Sequence, residues 1–153
     1  MEYQVRAARI TDVERIVALV DASTPSASAV ILEAADLLRQ LVYLPQASVL
    51  VAETLRTMAG VAVLALRPSV RSGGYVGTID LLVVDPRHDA DRVTGLLVEE
   101  LLRSARNKGC TVVEATPPAD GSAPSAWERL GFRTAAPRIE HRVGAGRAPA
   151  DQG

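Results

Sequence analysis

The stretch VVDPRHDADRVTGLL, residues 83–97, puts several charged side chains where an apolar run changes into a helical pattern. The unpaired backbone amides at the start of a helix carry a partial positive charge, so they commonly bind phosphate groups. Here the turn contains Asp89 and Asp91 and no glycine before Gly95. The side chains of this turn that could contact an anion are Arg87, His88 and Arg92. The turn thus has the position of a phosphate site but carries carboxylates that would repel a phosphate.

Two interpretations of these aspartates are open. In the first, Asp91 is the N-cap of the helix and Asp89 is a solvated neighbour, so the cap occupies amides that a diphosphate would need. In the second, the turn binds an amine or a metal ion, or controls access to a nearby site. A carboxylate about 4–6 Å from a phosphate costs about 3–4 kcal/mol at an effective dielectric constant of about 20, and less where it is exposed. We therefore expect the turn to bind a diphosphate weakly.

Size and composition favour one domain and argue against several functional classes. The chain has 153 residues, of which 48% are hydrophobic, which is enough for one core. The formal net charge of -1 argues against nucleic acid or an anionic membrane surface as a partner. No apolar stretch reaches about 20 residues, the length of a membrane span, and the N-terminus lacks the apolar core of a signal peptide. These features predict a cytoplasmic protein.

The cysteine and histidine residues give no support to a metal site. Cys110 is the only cysteine, which excludes an internal disulfide and a cysteine-based zinc cage. Because Cys110 precedes an apolar run, we expect a buried structural thiol. His88 and His141 form no HxxH or HExxH pattern, and the alternation in RIEHRV is typical of a strand that exposes His141.

The hydrophobic pattern predicts strands and helices along residues 1–143, which we expect to form a single domain. Thr11 and Glu14 fit a capping box at the start of a first helix, and Gly109 is expected at the end of the longest helix. The strands on either side of TLRTMA are expected to form an antiparallel hairpin. Residues 144–153 have nothing to bury and are expected to be a disordered tail. The predicted strands are 3–10, 48–53, 60–67, 77–84, 111–116 and 138–143, and the predicted helices follow Thr11, span 29–44 and 91–109, and precede Gly131.

The element order β-α-α-β-β-β-α-β-α-β, with LLVVDP at the end of the central strand and AWERLGF near the end of the chain, resembles the GNAT acetyltransferase superfamily. WERLGF, residues 127–132, is the most specific piece of the resemblance, which covers roughly residues 3–143. Gly131 would end a helix in the left-handed conformation and Phe132 would start the next strand against the core. The resemblance implies an α/β fold, with a mixed, mostly antiparallel central sheet and helices on both faces.

The resemblance also implies a site for acetyl-CoA between the central strand and the strand that follows the long helix. The pantetheine arm would pair with the central strand like an added strand, and the diphosphate would lie at the start of the helix. The residues implied in this binding are Leu82, Val83 and Val84 on the strand and Arg87, Arg92, Val93, Thr94 and Gly95 on the turn and helix.

The diphosphate loop departs from the family pattern, which usually reads Arg or Gln, two residues, Gly, one residue, and Gly or Ala. Aligned on residues 89–94, the loop has Asp89 at the Arg or Gln position, Arg92 at the first glycine and Thr94 at the second. A residue other than glycine costs about 1–2 kcal/mol in a left-handed conformation. We therefore expect acetyl-CoA, if it binds, to bind weakly or in an atypical way.

The resemblance places Asp80 at the position of the catalytic base, since amine acetylation requires removal of a proton from the amine. Asp80 is the single acid of the apolar strand TIDLLVV, and desolvation there would suit a base; pairing with an arginine, or exposure at a kink of the strand, is the alternative. Glu114 is a weaker candidate. Trp127 stands where the family usually has a tyrosine acid, and an indole N–H cannot protonate a thiolate. The sequence does not show whether another tyrosine lies near enough to replace this acid. The tyrosines of the chain are Tyr3, Tyr43 and Tyr75.

Two functions follow from these observations. The first is an N-acetyltransferase that uses acetyl-CoA on a small-molecule or protein amine, with the acceptor chosen by residues 22–44 and 117–125. The second is a non-catalytic ligand-binding or regulatory module that has the fold but does not bind acetyl-CoA. In either case, pairing through the last strand could produce a homodimer.

Overall fold

The computed structural model describes residues 2–23, 35–115, 124–135, 141 and 143. A short 3-10 turn, Ile10–Asp12, leads into the first helix. The strands are β1 Gln4–Ala7, β2 Ala47–Thr54, β3 Thr57–Ser69, β4 Gly74–Val84 and β5 Cys110–Ala115. The helices are α1 Val13–Ser23, α2 Ala35–Leu41, α3 Ala90–Asn107 and α4 Pro124–Arg129.

The described strands form one sheet in the order β1-β2-β3-β4-β5. The first three pairings are antiparallel, and β5 lies parallel to β4. The direction changes at this point because α3 carries the chain back along the sheet before β5 begins, as parallel strands require. The predicted mixed, mostly antiparallel sheet is therefore confirmed.

Two apolar cores lie on opposite faces of this sheet, because β2 and β3 are buried along nearly their whole length. Burial of one large aliphatic side chain contributes about 1.5–3 kcal/mol, so each core is a large stabilising term. The α1-side core consists of Ala8, Val13, Ile16, Leu19, Val20, Leu38, Val49, Val51, Met58, Val61, Val63 and Val83. The α3-side core consists of Leu50, Ala52, Ala59, Ala62, Leu64, Ile79, Val93, Leu97, Leu101 and Ala105. Helices on both faces, as predicted, follow from this arrangement.

The predicted hairpin of β2 and β3 is confirmed, and both strands are longer than predicted. Only Leu55 and Arg56 connect them, with φ angles of 47° and 65°. Two successive positive φ angles are typical of a type I′ turn, which favours asparagine and glycine. Leu55 and Arg56 therefore adopt a backbone conformation that costs free energy, because neither is glycine or asparagine.

The start of α1 differs from the prediction. The chain turns at Ile10, and the carboxylate of Asp12 accepts a hydrogen bond of 2.7 Å from the Arg9 amide. Asp12 also accepts two hydrogen bonds from the Arg6 guanidinium. The prediction of Thr11 as N-cap is wrong. The helical turn already begins at Ile10, and the side chain that accepts from a backbone amide there is the buried carboxylate of Asp12.

Both predicted left-handed glycines are confirmed, with φ angles of 86° at Gly109 and 93° at Gly131. After Gly131, the amide of Phe132 donates to the Trp127 carbonyl at 3.0 Å. The Trp127 and Phe132 rings meet edge to face with centroids 4.9 Å apart, and both pack against the α3-side core. WERLGF is thus a packing element of the fold.

Several predicted boundaries change or lie outside the described residues. The second helix ends at Leu41 and is followed by a turn, whereas its predicted beginning, residues 29–34, is outside the described residues. The predicted tail, 144–153, is also outside them, as is most of the predicted last strand, 138–143. Of that strand, His141 and Val143 are described, and both are exposed.

Candidate functional site

The centre of the candidate site is a bulge in β4 at Asp80. Val63 of β3 pairs with Leu81, and Leu64 pairs with Ile79, so Asp80 is an extra residue without a partner in β3. A bulge of this kind changes the direction of the side chains around it. Asp80 is exposed. The expectation that burial would desolvate its carboxylate is therefore wrong. The alternative, exposure at a kink of the strand, agrees with the structure.

Beyond the bulge, one edge of β4 has no partner among the described strands. β5 pairs with β4 from Tyr75 to Ile79, where Ala115 is its last described residue. On the opposite edge, β3 continues to pair with Leu82, Val83 and Val84. Among the described residues, the second edge of this segment therefore presents backbone N–H and C=O groups that an extended ligand could pair with.

The turn between β4 and α3 is held by Asp85, a buried residue whose side chain is 8% exposed. The Asp85 amide donates to the Ala59 carbonyl at 2.8 Å, and the His88 amide donates to the Asp85 carbonyl at 3.0 Å. The Asp85 carboxylate accepts from the amide and the guanidinium of Arg87, with a shortest distance of 2.7 Å. These hydrogen bonds to Arg87 lower the pKa of Asp85 to about 2. The Arg87 guanidinium is therefore fixed against Asp85, although its side chain is largely exposed.

The helix α3 begins one residue after Asp89, which is its N-cap. Asp89 has an extended backbone, and its Oδ1 accepts from the Arg92 amide at 3.2 Å. The prediction of Asp91 as N-cap is wrong, because Asp91 already lies in the first helical turn and is exposed. The carboxylate of Asp89 thus takes the place that a bound anion would have at the Arg92 amide.

Tyr3 reaches the start of α3 from the edge strand β1. Its hydroxyl lies 3.2 Å from His88 Nδ1 and accepts from the Asp89 amide at 3.4 Å. The Arg92 guanidinium lies 5.6 Å from the centroid of the Tyr3 ring, which is within the range of a cation–π contact. The sequence did not predict this location of Tyr3, because the residues that Tyr3 contacts are 85 and 86 positions away in the chain.

The α3 residues that the resemblance implies in cofactor binding differ in how far they are buried. Val93 is fully buried in the α3-side core, and its amide donates to the Asp89 carbonyl. Thr94 and Gly95 are half-buried. A Cβ at Gly60 of β3 would lie 2.9 Å from the Val93 side chain, so this glycine allows the start of α3 to lie close to the sheet.

On β5, Glu114 lies beside Thr78 in the parallel register. Its Oε1 accepts from the Thr78 hydroxyl at 3.3 Å and lies 3.6 Å from the Arg67 guanidinium. In the part of the chain that the structure describes, Asp80 makes no hydrogen bond or ion pair of this kind. Of the two candidate acids, Asp80 is the one whose carboxylate is not already engaged.

Other candidates from the sequence lie elsewhere or have packing roles. Cys110 is half-buried against the α3-side core, and burial raises the pKa of its thiol. Within the described ranges, no three His, Cys, Asp or Glu side chains are grouped to hold a metal ion. No helix among the described residues is long and apolar enough to cross a bilayer.

The five described strands in a mixed, mostly antiparallel sheet, with helices on both faces, agree with the GNAT fold that the sequence resemblance predicts. A sequence model of the Acetyltransferase (GNAT) family matches residues 14–132, so the chain belongs to this family.

Solved structures agree with this assignment at the level of the fold. An acetyltransferase from Trypanosoma brucei is 24% identical with a TM-score of 0.70, covering 93% of this chain and 100% of that one. Glucosamine-6-phosphate N-acetyltransferase from Arabidopsis thaliana is 17% identical with a TM-score of 0.71, covering 94% and 100%. AAC(6')-Iy, solved with the bisubstrate analog CoA-S-monomethyl-acetylneamine, is 19% identical with a TM-score of 0.78, covering 95% and 100%. No curated protein sequence matches the chain.

Proposed function

We propose that this protein is an N-acetyltransferase that transfers the acetyl group of acetyl-CoA to an amine and binds the cofactor weakly. The observation that carries the proposal is the continuity of β4. The bulge at Asp80, the free edge of Leu82–Val84 and the start of α3 follow one another along one segment of chain. This segment offers an acid, a backbone edge and a helix N-terminus in sequence.

The free edge fits the pantetheine arm of acetyl-CoA. An amide-containing chain can add to β4 as a further strand, and the side chains of Leu82 and Val84 already pack into the α3-side core on the same segment. Arg92 is exposed at the following turn and supplies positive charge near the diphosphate, whereas the charge of Arg87 is paired with the Asp85 carboxylate. When bound, acetyl-CoA supplies the acetyl group as an activated thioester.

Asp80 removes the proton from the acceptor amine in this proposal. Its carboxylate is exposed at the bulge, whereas Glu114 is engaged by Thr78 and Arg67. A carboxylate acting as general base typically contributes a factor of about 10²–10⁴ to the rate. Trp127 contributes packing with Phe132 and no acid, so the thiolate leaves without a proton from this residue.

The acceptor is an amine of a small molecule or a protein. The chain carries a formal net charge of -1, which supports neither nucleic acid nor an anionic membrane surface as its partner. A homodimer and a cytoplasmic location are further parts of the proposal.

A non-catalytic module is the second candidate, and one observation favours it. The carboxylate of Asp89 and the hydroxyl of Tyr3 already bind two amides at the start of α3. If these contacts exclude the diphosphate altogether, the domain keeps the fold and binds a different ligand.

Calorimetry with acetyl-CoA at fixed salt separates the two candidates. Saturable binding in the micromolar range, with release of CoA thiol in the presence of an amine, supports the enzyme. No binding at millimolar acetyl-CoA overturns the enzyme and supports the module.

Asp80→Asn tests the base. We expect kcat to fall by about 10²–10⁴-fold with an unchanged affinity for acetyl-CoA, since the substitution does not alter the backbone edge. Glu114→Gln is the matched control and should keep most of the activity. Equal loss in both variants would contradict the assignment of Asp80.

A further inference from the structure

A polar groove lies at the edge of the sheet, between the start of α1 and the β2–β3 hairpin. It has a volume of about 720 Å³, which is within the range of small-molecule sites. The charged residues that line it are Arg6, Arg9, Arg15, Arg56, Glu2 and Glu53. This arginine groove is built on β1, the strand at the end of the sheet opposite β5, and Tyr3, which contacts the start of α3, also lines it.

Arg6 forms the floor of the groove and has no hydrogen bond left for a ligand. Its Nε donates to Glu53, one terminal nitrogen donates to Asp12 and the Ala7 carbonyl, and the other donates to Asp12 and Glu53. A guanidinium has five N–H donors, so all of them are used. The two carboxylates are correspondingly committed to Arg6, which lowers the pKa of Asp12 to about 2 and also lowers that of Glu53.

Arg15 is held in place but keeps free donors. One terminal nitrogen donates to Asp12 at 3.3 Å and the other donates to the Arg56 carbonyl at 3.2 Å. Three of its five N–H groups remain available for a ligand. Arg15 thus presents a guanidinium that is already positioned by the protein.

Arg9 and Arg56 are exposed, and their side chains make no hydrogen bond or ion pair with another described residue. With Asp12 and Glu53 neutralised by Arg6 and Arg15, the charges left at the groove are those of Arg9 and Arg56, against Glu2. The groove is therefore positive, although the whole chain carries a net charge of -1.

We propose that the arginine groove binds a polyphosphate group, either inorganic or carried by a small molecule. Arg9, Arg15 and Arg56 come from three separate segments, namely the loop after β1, the helix α1 and the β2–β3 turn. A single carboxylate is satisfied by one bidentate guanidinium, whereas a chain of phosphates presents enough oxygens for three. The three arginines are not among the residues of the proposed acetyl-CoA site, although Tyr3 lines the groove and also contacts the start of α3.

The test is calorimetric titration of the full chain with inorganic tripolyphosphate and with a nucleoside triphosphate. We expect saturable binding that weakens as salt is added, and at least a tenfold loss of affinity in the double variant Arg9→Gln/Arg56→Gln. These two side chains hold no described structural contact, so the variant should unfold at the same temperature as the parent. Tighter binding of the nucleoside triphosphate would identify a phosphorylated small molecule, and tighter binding of tripolyphosphate would identify inorganic polyphosphate.

Arg71→Gln/Arg106→Gln is the matched control, because it removes the same charge from exposed positions in the β3–β4 turn and the last turn of α3. Amide chemical shifts then locate the bound probe. Changes at residues 9, 15 and 56 support the proposal. Absence of saturable binding, equal loss in both double variants, or changes confined to residues 89–95 would each overturn it.

Discussion

Replacing Asp89 by asparagine should strengthen the binding of coenzyme A by about 5- to 30-fold. Asparagine caps a helix as well as aspartate does, so the contact between position 89 and the Arg92 amide can persist while the charge is removed. The variant therefore isolates the electrostatic cost of the carboxylate from its structural role.

The magnitude follows from the exposure of Asp89. A separation of about 4–6 Å between carboxylate and phosphate costs about 3–4 kcal/mol at a dielectric constant of about 20, and about 1 kcal/mol in bulk water at the shorter distance. Because Asp89 is exposed, we take about 1–2 kcal/mol, and each 1.4 kcal/mol is about a factor of ten in affinity. The gain should shrink as salt screens the repulsion.

The assay is calorimetry with coenzyme A at two salt concentrations, together with thermal unfolding of each variant. Asp89→Ala is the control, since it removes the charge and the cap and should lower stability by about 0.5–2 kcal/mol. If Asp89→Asn binds coenzyme A no more tightly than the parent at low salt, the electrostatic explanation of weak binding is refuted.

Three further predictions concern stability. Leu55→Asn/Arg56→Gly should raise the free energy of unfolding by about 1–2 kcal/mol in urea titrations, because both positions have positive φ; no gain would show that the turn is not strained. Gly60→Val should lower it by about 1–3 kcal/mol, because a Cβ there meets Val93 at 2.9 Å, whereas an unchanged stability would show that α3 shifts freely. The pKa of Asp12 is lowered from 3.8 to about 2 chiefly by its hydrogen bond to Arg6, so its stabilisation is present above pH 3.8 and is lost as the pH falls towards 2. In the Asp12→Asn variant, the free energy of unfolding should therefore fall less steeply between pH 3.8 and 2 than it does in the parent. Parallel pH profiles of the two proteins would contradict this.

The fold was predictable because its main elements carry strong local patterns. The apolar spacing of α3 and the apolar run of β4 indicate their types without any tertiary information. Gly109 and Gly131 have the positive φ that their positions predicted. Local patterns also place the β2–β3 hairpin, although they do not show that its turn contains only Leu55 and Arg56.

The details of the candidate site were less predictable, because they depend on register and distant contacts. Asp89 and Asp91 are equally good N-cap residues by type, and only the extended backbone at Asp89 decides between them. The exposure of Asp80 follows from a register shift against β3, which composition does not encode. Tyr3 contacts His88 and Asp89, which lie 85 and 86 positions further along the chain, and no local pattern shows such a contact.

The backbone amides at the start of α3 explain why weak binding is a better expectation than none. A helix leaves four N–H groups without an intrahelical partner, which here belong to residues 89–92. Tyr3 takes the amide of Asp89, and the Asp89 carboxylate takes that of Arg92. The amides of Ala90 and Asp91 have no partner in the part of the chain that the structure describes, so a diphosphate could still bind two donors. Most of the affinity for acetyl-CoA must then come from the free edge of β4, and variants of the turn should change that affinity without abolishing it.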